Sequence, residues 1–222
     1  MKKRSKKGFW IASGLLAVFV TWTVLTRVVD VQEIGPRESA VGFATLNEAV
    51  HVGTGVHLSL YILTDWLGLV PIGIALCFAV LGVIQWIHRK SMLRVDRSIL
   101  ILGIFYLVVL SIYVFFECVV VNYRPVLLNG FLEVSYPSST TMLVMCIMLT
   151  ALIQCNRRIK NSFVRRGVAL AIIAFVVFMV IGRLLSGVHW LSDIIGGVLL
   201  SAGLVTLYAS LVDYQNENIN CL

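Results

Sequence analysis

Apolar residues in this chain fall in blocks of about 20, roughly the length at which a helix crosses a bilayer. Six blocks are predicted, at about residues 9–28, 66–87, 99–121, 140–155, 167–185 and 191–212. The fourth is the shortest. The pattern predicts an all-α fold, a bundle of six transmembrane helices, with polar residues confined to the segments between blocks.

Composition agrees. Of the 222 residues, 59% are hydrophobic and 13% are charged, against roughly 25% charged in a soluble globular domain. Residues 1–222 read as one integral membrane domain with no soluble domain attached.

The net charge of +7 raises the question of nucleic acid, and its distribution answers it. Lys2, Lys3, Arg4, Lys6 and Lys7 precede the first block. Arg89, Lys90, Arg94 and Arg97 lie between the second and third, and Arg157, Arg158, Lys160, Arg165 and Arg166 between the fourth and fifth. Fourteen of the 18 basic residues therefore stand at alternate boundaries, the pattern that marks cytoplasmic loops. The basicity sets topology and attracts anionic lipid heads, and no nucleic-acid role is needed. Both termini are expected in the cytoplasm, with outer loops at about 29–65, 122–139 and 186–190. The first apolar run is longer than the roughly 7–15 residues of a cleaved signal, so it reads as a retained helix. Short loops and charge bias point to a bacterial inner membrane.

Within the long first loop a short interfacial helix is expected, and His51 and His57 read as ordinary interfacial side chains. Asp65 reads as an outer helix cap, and Trp66, Trp86 and Trp190 as an interfacial belt. Cysteines 77, 118, 146, 155 and 221 lack disulfide or metal-ligand spacing and read as packing residues. No metal and no cofactor are implied, and the oligomeric state is open.

Three outer segments carry candidate chemistry: Glu117 to Pro125, Tyr136 to Thr141, and Gly182 to Asp193. Arg124 and Arg183 stand at outer span ends, where positive charge is otherwise avoided. A guanidinium fork matches phosphate oxygens. Ser138, Ser139 and Thr140 open a helix, where backbone N–H groups and hydroxyls hold anions. His189 and Asp193 are four apart on one helix face. The carboxylate can orient the imidazole, which can attack phosphorus. Singly, each has a bland reading as helix cap, snorkelling arginine or structural hydrogen bond. Their convergence on one side of one membrane favours a shared site.

On these residues the chain resembles the type 2 phosphatidic acid phosphatase superfamily, whose pattern is Lys-x6-Arg-Pro, Pro-Ser-Gly-His and Ser-Arg-x5-His-x3-Asp. Arg124, Pro125, Pro137, Ser138, Arg183, His189 and Asp193 match in order. The resemblance implies a membrane lipid phosphate as substrate, His189 as a nucleophile forming phosphohistidine, and Asp193 as its orienting partner. It further implies phosphate binding by Arg124, Arg183 and the Ser138–Ser139 backbone. Four positions depart: Glu117 for Lys, Ser139 for Gly, Thr140 for the general-acid His, and Gly182 for Ser. General-acid help is worth about 10²–10⁴ in rate, and Thr140 has no comparable acidity. Three readings follow: a preference for lipid diphosphates, whose leaving group needs no proton; a substitute acid, with Glu117 ahead of Tyr123 and Tyr136; or a lipid-phosphate binding or transport-associated protein without turnover. Transfer of the phosphate to a lipid hydroxyl is a variant of the first two.

Overall fold

The structure is a computed structural model that describes residues 3–219, most of them helical. Its helices are α1 (Lys3–Val28), α2 (Ala44–Thr54), α3 (Leu58–Leu67), α4 (Leu69–Arg89), α5 (Arg97–Cys118), α6 (Ser139–Arg158), α7 (Ser162–Leu185) and α8 (Leu191–Ile219). Among the described residues six helical stretches are long and apolar enough to cross a membrane, α3 and α4 together forming one. Lys2 and Cys221 lie outside the described residues.

The spans differ from the sequence expectation where capping or proline chemistry sets an end. The second begins at Leu58, not near 66. α3 runs into α4 through Gly68, whose N–H contacts the carbonyls of Thr64 and Asp65, both at 3.0 Å. Pro71 has no N–H to return to Leu67, which marks the break there. The fourth span is a full 20 residues. The fifth begins at Ser162 because the Asn161 side chain accepts from the N–H groups of Phe163 and Val164, at 2.9 and 3.2 Å; such a cap satisfies otherwise orphaned donors.

The segment between α1 and α2 departs from an all-helical chain. An antiparallel ribbon, β1 (Gln32–Gly35) and β2 (Ser39–Val41), precedes α2. Arg37 and Glu38 at its tip take left-handed backbone conformations, with φ of 56° and 59°. The expected short helix is α2.

α6 and α8 are the most buried spans. α1 lies along α8, where small residues let the backbones approach. A Cβ on Gly8 would fall 2.3 Å from Ser210 Oγ, and one on Gly203 2.8 Å from Leu16. Phe19, Leu102, Phe105, Met142, Leu204 and Tyr208 fill the space between α1, α5, α6 and α8. Polar groups buried at membrane depth need internal partners. Gln154, fully buried, accordingly donates to Tyr208 Oη at 2.5 Å and to the Ser98 carbonyl at 3.1 Å.

The bundle has two chemically distinct ends. One carries the end of α5, the starts of α6 and α8, and the turn after α7. At the other, Arg89, Arg94, Arg97, Arg157 and Arg158 line one groove. The α7–α8 turn is pinned by the His57 N–H, which donates to the Ser186 carbonyl at 3.0 Å. Gly187 sits there at φ 69°, and a Cβ on it would fall 2.1 Å from the Gly55 carbonyl oxygen. Gly187→Ala is therefore expected to destabilise the fold by about 1–3 kcal/mol, seen as a lowered unfolding midpoint of the purified protein.

Candidate active site

The segment after α5 folds back on itself. Tyr123 pairs with Val134 and Leu128 with Phe131 in isolated bridges. The Arg124 N–H donates to the Glu133 carbonyl, and the Ser135 N–H to the Asn122 carbonyl, each at 3.0 Å. This pairing brings Asn122, Arg124 and Ser135 together. Two further arginines brace the segment: Arg27 Nη2 donates to the Val120 carbonyl at 2.7 Å, and Arg37 Nη2 to that of Gly130 at 3.0 Å.

Asp193, at the start of α8, points into this fold and is fully buried. Its Oδ1 accepts from Asn122 Nδ2 at 3.0 Å, and its Oδ2 from the Trp190 N–H at 3.0 Å and Ser135 Oγ at 2.5 Å. The neighbouring Ser192 is locked to Asn47 of α2: its N–H donates to Asn47 Oδ1 at 3.0 Å, and its Oγ accepts from Asn47 Nδ2 at 2.9 Å.

His189 is buried beside this cluster. Its Nδ1 is 4.0 Å from Asp193 Oδ2, too far for a hydrogen bond, and 3.0 Å from Ser135 Oγ. Ser135 thus stands between the two residues that the sequence pairs directly. Arg124 Nη1 lies 3.2 Å from His189 Nε2. A guanidinium only donates, so Nε2 is the acceptor and the ring proton sits on Nδ1. The protons then order themselves: Nδ1–H to Ser135, and Ser135 O–H to the Asp193 carboxylate. The ring presents an unprotonated Nε2. Burial, then the charges of Arg124 and Arg183, hold the His189 imidazolium well below the usual histidine range.

Both arginines act on His189 through their charge, and Arg124 also touches it directly. Arg124 Nε is 3.1 Å from Glu133 Oε2, close enough for an ion pair but not aligned as a hydrogen bond. Arg183, 2% exposed, contacts Asp65 Oδ1 at 3.2 Å and Thr140 Oγ1 at 2.5 Å through Nη2, and Thr64 Oγ1 at 3.4 Å through Nη1. Its guanidinium lies 4.9 Å from the centre of the Tyr61 ring. The Nε atoms of both arginines are buried without a hydrogen-bond acceptor. For Arg124 the nearest charge to that donor is the Glu133 carboxylate.

The remaining expected site residues divide. Ser138 is turned inward: its N–H donates to the Asp193 carbonyl at 3.0 Å, and its Oγ caps the Thr141 N–H at 3.5 Å. Its own groups hold α6 in place, leaving the half-buried Ser139 and Thr140 at the helix mouth. Glu117 is exposed at the end of α5 and lines a small cavity with Tyr113, Ser135, Tyr136 and Ser139. Asp65, expected as a cap, is instead the ion partner of Arg183. Trp190, expected in the interfacial belt, is buried and donates from Nε1 to the Tyr123 carbonyl at 2.7 Å. His51 packs on Trp190 with ring centres 5.3 Å apart, and burial holds its pKa below the ordinary value. Ser135, Asn122, Asn47 and the α3 residues Tyr61 and Thr64 are not singled out by sequence. Among the described residues no group of three or more His, Cys, Asp or Glu side chains is placed to hold a metal ion.

The family model described as the PAP2 superfamily matches residues 105–217, which contain all three motif segments. The chain belongs to the PAP2 superfamily. A solved structure described as the first transmembrane PAP2-type phosphatidylglycerolphosphate phosphatase from Bacillus subtilis superposes with a TM-score of 0.54. It is 18% identical, and the match covers 92% of this chain and 96% of that one; at that identity the likeness is one of fold. No curated protein matches the chain in sequence. Within this PAP2 member, Gly182 in place of the pattern's Ser has a local counterpart. A Cβ there would fall 2.9 Å from Thr64 Cγ2, so glycine lets α3 close onto Arg183.

A histidine proton bound less tightly in the folded chain than in the unfolded one makes stability fall with acidification. The contribution is intact above the unfolded pKa of about 6.5 and is lost as pH drops below it. The unfolding midpoint is expected to fall between about pH 6.5 and 5. His189→Asn, which has no such titration, is expected to show a shallower fall over the same range.

Proposed function

We propose that this PAP2 member is a membrane phosphatase removing the terminal phosphate of a lipid phosphate or polyprenyl diphosphate through a phosphohistidine on His189. The observation that carries this reading is the set of contacts at His189. Nε2 is neutral and faces the Arg124 guanidinium, while Nδ1 is tied through Ser135 to a buried carboxylate.

In the proposed reaction Arg124 and Arg183, with the Ser139–Thr140 end of α6, hold the phosphate. His189 Nε2 attacks phosphorus in line, the P–O bond to the leaving group breaks, and the developing imidazolium is stabilised through Nδ1–H, Ser135 and Asp193. Water then attacks the phosphohistidine, releasing phosphate and restoring the imidazole.

The leaving group decides the substrate class. Where other members of the family have an acidic histidine, Thr140 is a hydrogen-bond partner of Arg183. Glu117 shares a small cavity with Ser135, which stands on the Nδ1 side of the ring, whereas the leaving group departs in line with Nε2. That placement disfavours Glu117 as proton donor. A lipid alkoxide needs a proton to leave, but a phosphate ester, with a second pKa of about 6, does not. Polyprenyl diphosphates are therefore the preferred class.

The same Arg183–Thr140 contact favours a second reading, a lipid-phosphate binding protein without turnover. Against it stands the His189–Ser135–Asp193 arrangement, which binding alone does not require. The positive-inside pattern assigns the arginine-lined end to the cytoplasm and His189 to the outer side, in what we take to be a bacterial inner membrane.

A phosphate-release panel of lipid mono- and diphosphates on the purified protein tests the proposal. The expected result is release from a polyprenyl diphosphate exceeding that from phosphatidate by about 10² or more, the scale of a missing general acid. His189→Ala should remove it and Glu117→Gln should leave it largely intact. Comparable rates on both substrates would reject the preference; binding without release from any would support the second reading. Ser135→Ala is expected to lower kcat by up to about 10²-fold through loss of ring orientation, with KM little changed.

A further inference from the structure

At the end of the bundle opposite His189, two cavities share a wall. One, about 550 Å³, is an apolar groove between α4 and α5, with Ala79, Gly82 and Gly103 forming its hollow. The other, about 940 Å³, is lined by Arg89, Arg94, Arg97, Arg157 and Arg158. Val95 lines both.

We infer that this pair of cavities is a binding site for an anionic phospholipid of the leaflet at that end, with its head group among the arginines and an acyl chain along α4 and α5.

The basic cavity has a fixed frame. Among the described residues Asp96 is the one acidic residue lining it. It joins three elements: its Oδ1 is 3.0 Å from Arg89 of α4, and its Oδ2 is 3.2 Å from Arg158 of α6 and 2.9 Å from Gln85 Nε2. Arg158 Nε also donates to the buried Gln154 at 3.2 Å. Arg157 is paired with Asp213 at 2.8 Å. Arg94 and Arg97 form no ion pair among the described residues. Five guanidiniums thus face two carboxylates, both already engaged, and the excess positive charge matches an anionic head group. Guanidinium is the side chain best suited to phosphate oxygens.

The neighbouring groove suits an acyl chain rather than a soluble anion. Its lining is almost wholly apolar, and a Cβ on Gly103 would meet nothing within 4 Å. A soluble phosphate would use only the arginines, and a second copy of the chain would use only the groove. A double-chain anionic lipid uses both. General attraction of basic loops to anionic membranes requires neither the shared wall nor the groove.

The test uses the full-length protein in neutral detergent, with native mass spectrometry for bound lipid and the unfolding midpoint as a second readout. Phosphatidylglycerol is expected to bind and raise the midpoint at concentrations where phosphatidylcholine and inorganic phosphate do not. The double variant Arg94→Gln/Arg97→Gln, which removes no ion pair within the described residues, should weaken that binding about tenfold. Gly103→Phe, which fills the groove, should weaken it while leaving the midpoint in plain detergent unchanged. Unaltered phosphatidylglycerol binding in both variants would overturn the inference. So would an equal midpoint shift with inorganic phosphate, or a lipid-independent dimer that Gly103→Phe dissociates. None of these readouts depends on phosphatase activity.

Discussion

A carboxylate removed from water is costly unless donors surround it, and Asp193 is both completely buried and surrounded. Its donors come from three directions: Asn122 and Ser135 from the two arms of the folded-back segment, and the Trp190 N–H from the turn before α8. Loss of one partner from such a cluster exposes the charge to its full desolvation penalty, typically several kcal/mol. The segment after α5 is therefore tied to α8 by electrostatic necessity, and Arg124, carried on that segment, is brought to His189 as a result.

The arginines follow a related logic. Arg183 belongs to α7 and is nearly inaccessible, so its charge needs company. α3 supplies it with the Asp65 carboxylate, the Thr64 hydroxyl and the face of Tyr61. Arg124 has Glu133 beside it. Each guanidinium thus has a carboxylate neighbour yet retains a buried Nε donor without an acceptor. Burial first, and then the charge of the two cations, keeps the His189 ring neutral. A neutral buried imidazole and two neighbouring cations thus come from one arrangement of charge.

Much of this was legible in the chain because membranes impose simple rules. Length and hydropathy located six spans, alternate basic boundaries matched the two ends of the bundle, and motif order placed Arg124, Arg183, His189 and Asp193 in one region. What escaped were contacts between distant segments. Ser135 precedes the second motif and looks like any loop serine; only the pairing of Tyr123 with Val134 brings it to His189. Asn47 sits in a loop helix 145 residues away from its partner Ser192. Asp65 resembled a cap because its partner lies on another span. Periodicity reports which face of a helix is buried, not which foreign side chain waits there. The ribbon at Gln32–Val41 escaped for another reason: in a chain dominated by apolar helices, a seven-residue strand pair leaves little trace.

The break at Gly68 divides the second span into a stretch, Leu69–Arg89, whose apolar side chains are largely exposed on the bundle surface, and another that reaches Arg183. That other stretch, Leu58–Leu67, lies wholly outside residues 105–217, where the family signature resides. A substitution at Asp65 or Thr64 would retune the charge around Arg183 while every motif residue stayed as it is. Relatives with identical signatures can therefore differ in the charge that surrounds this arginine, and the cause would lie in a helix that the signature never reads.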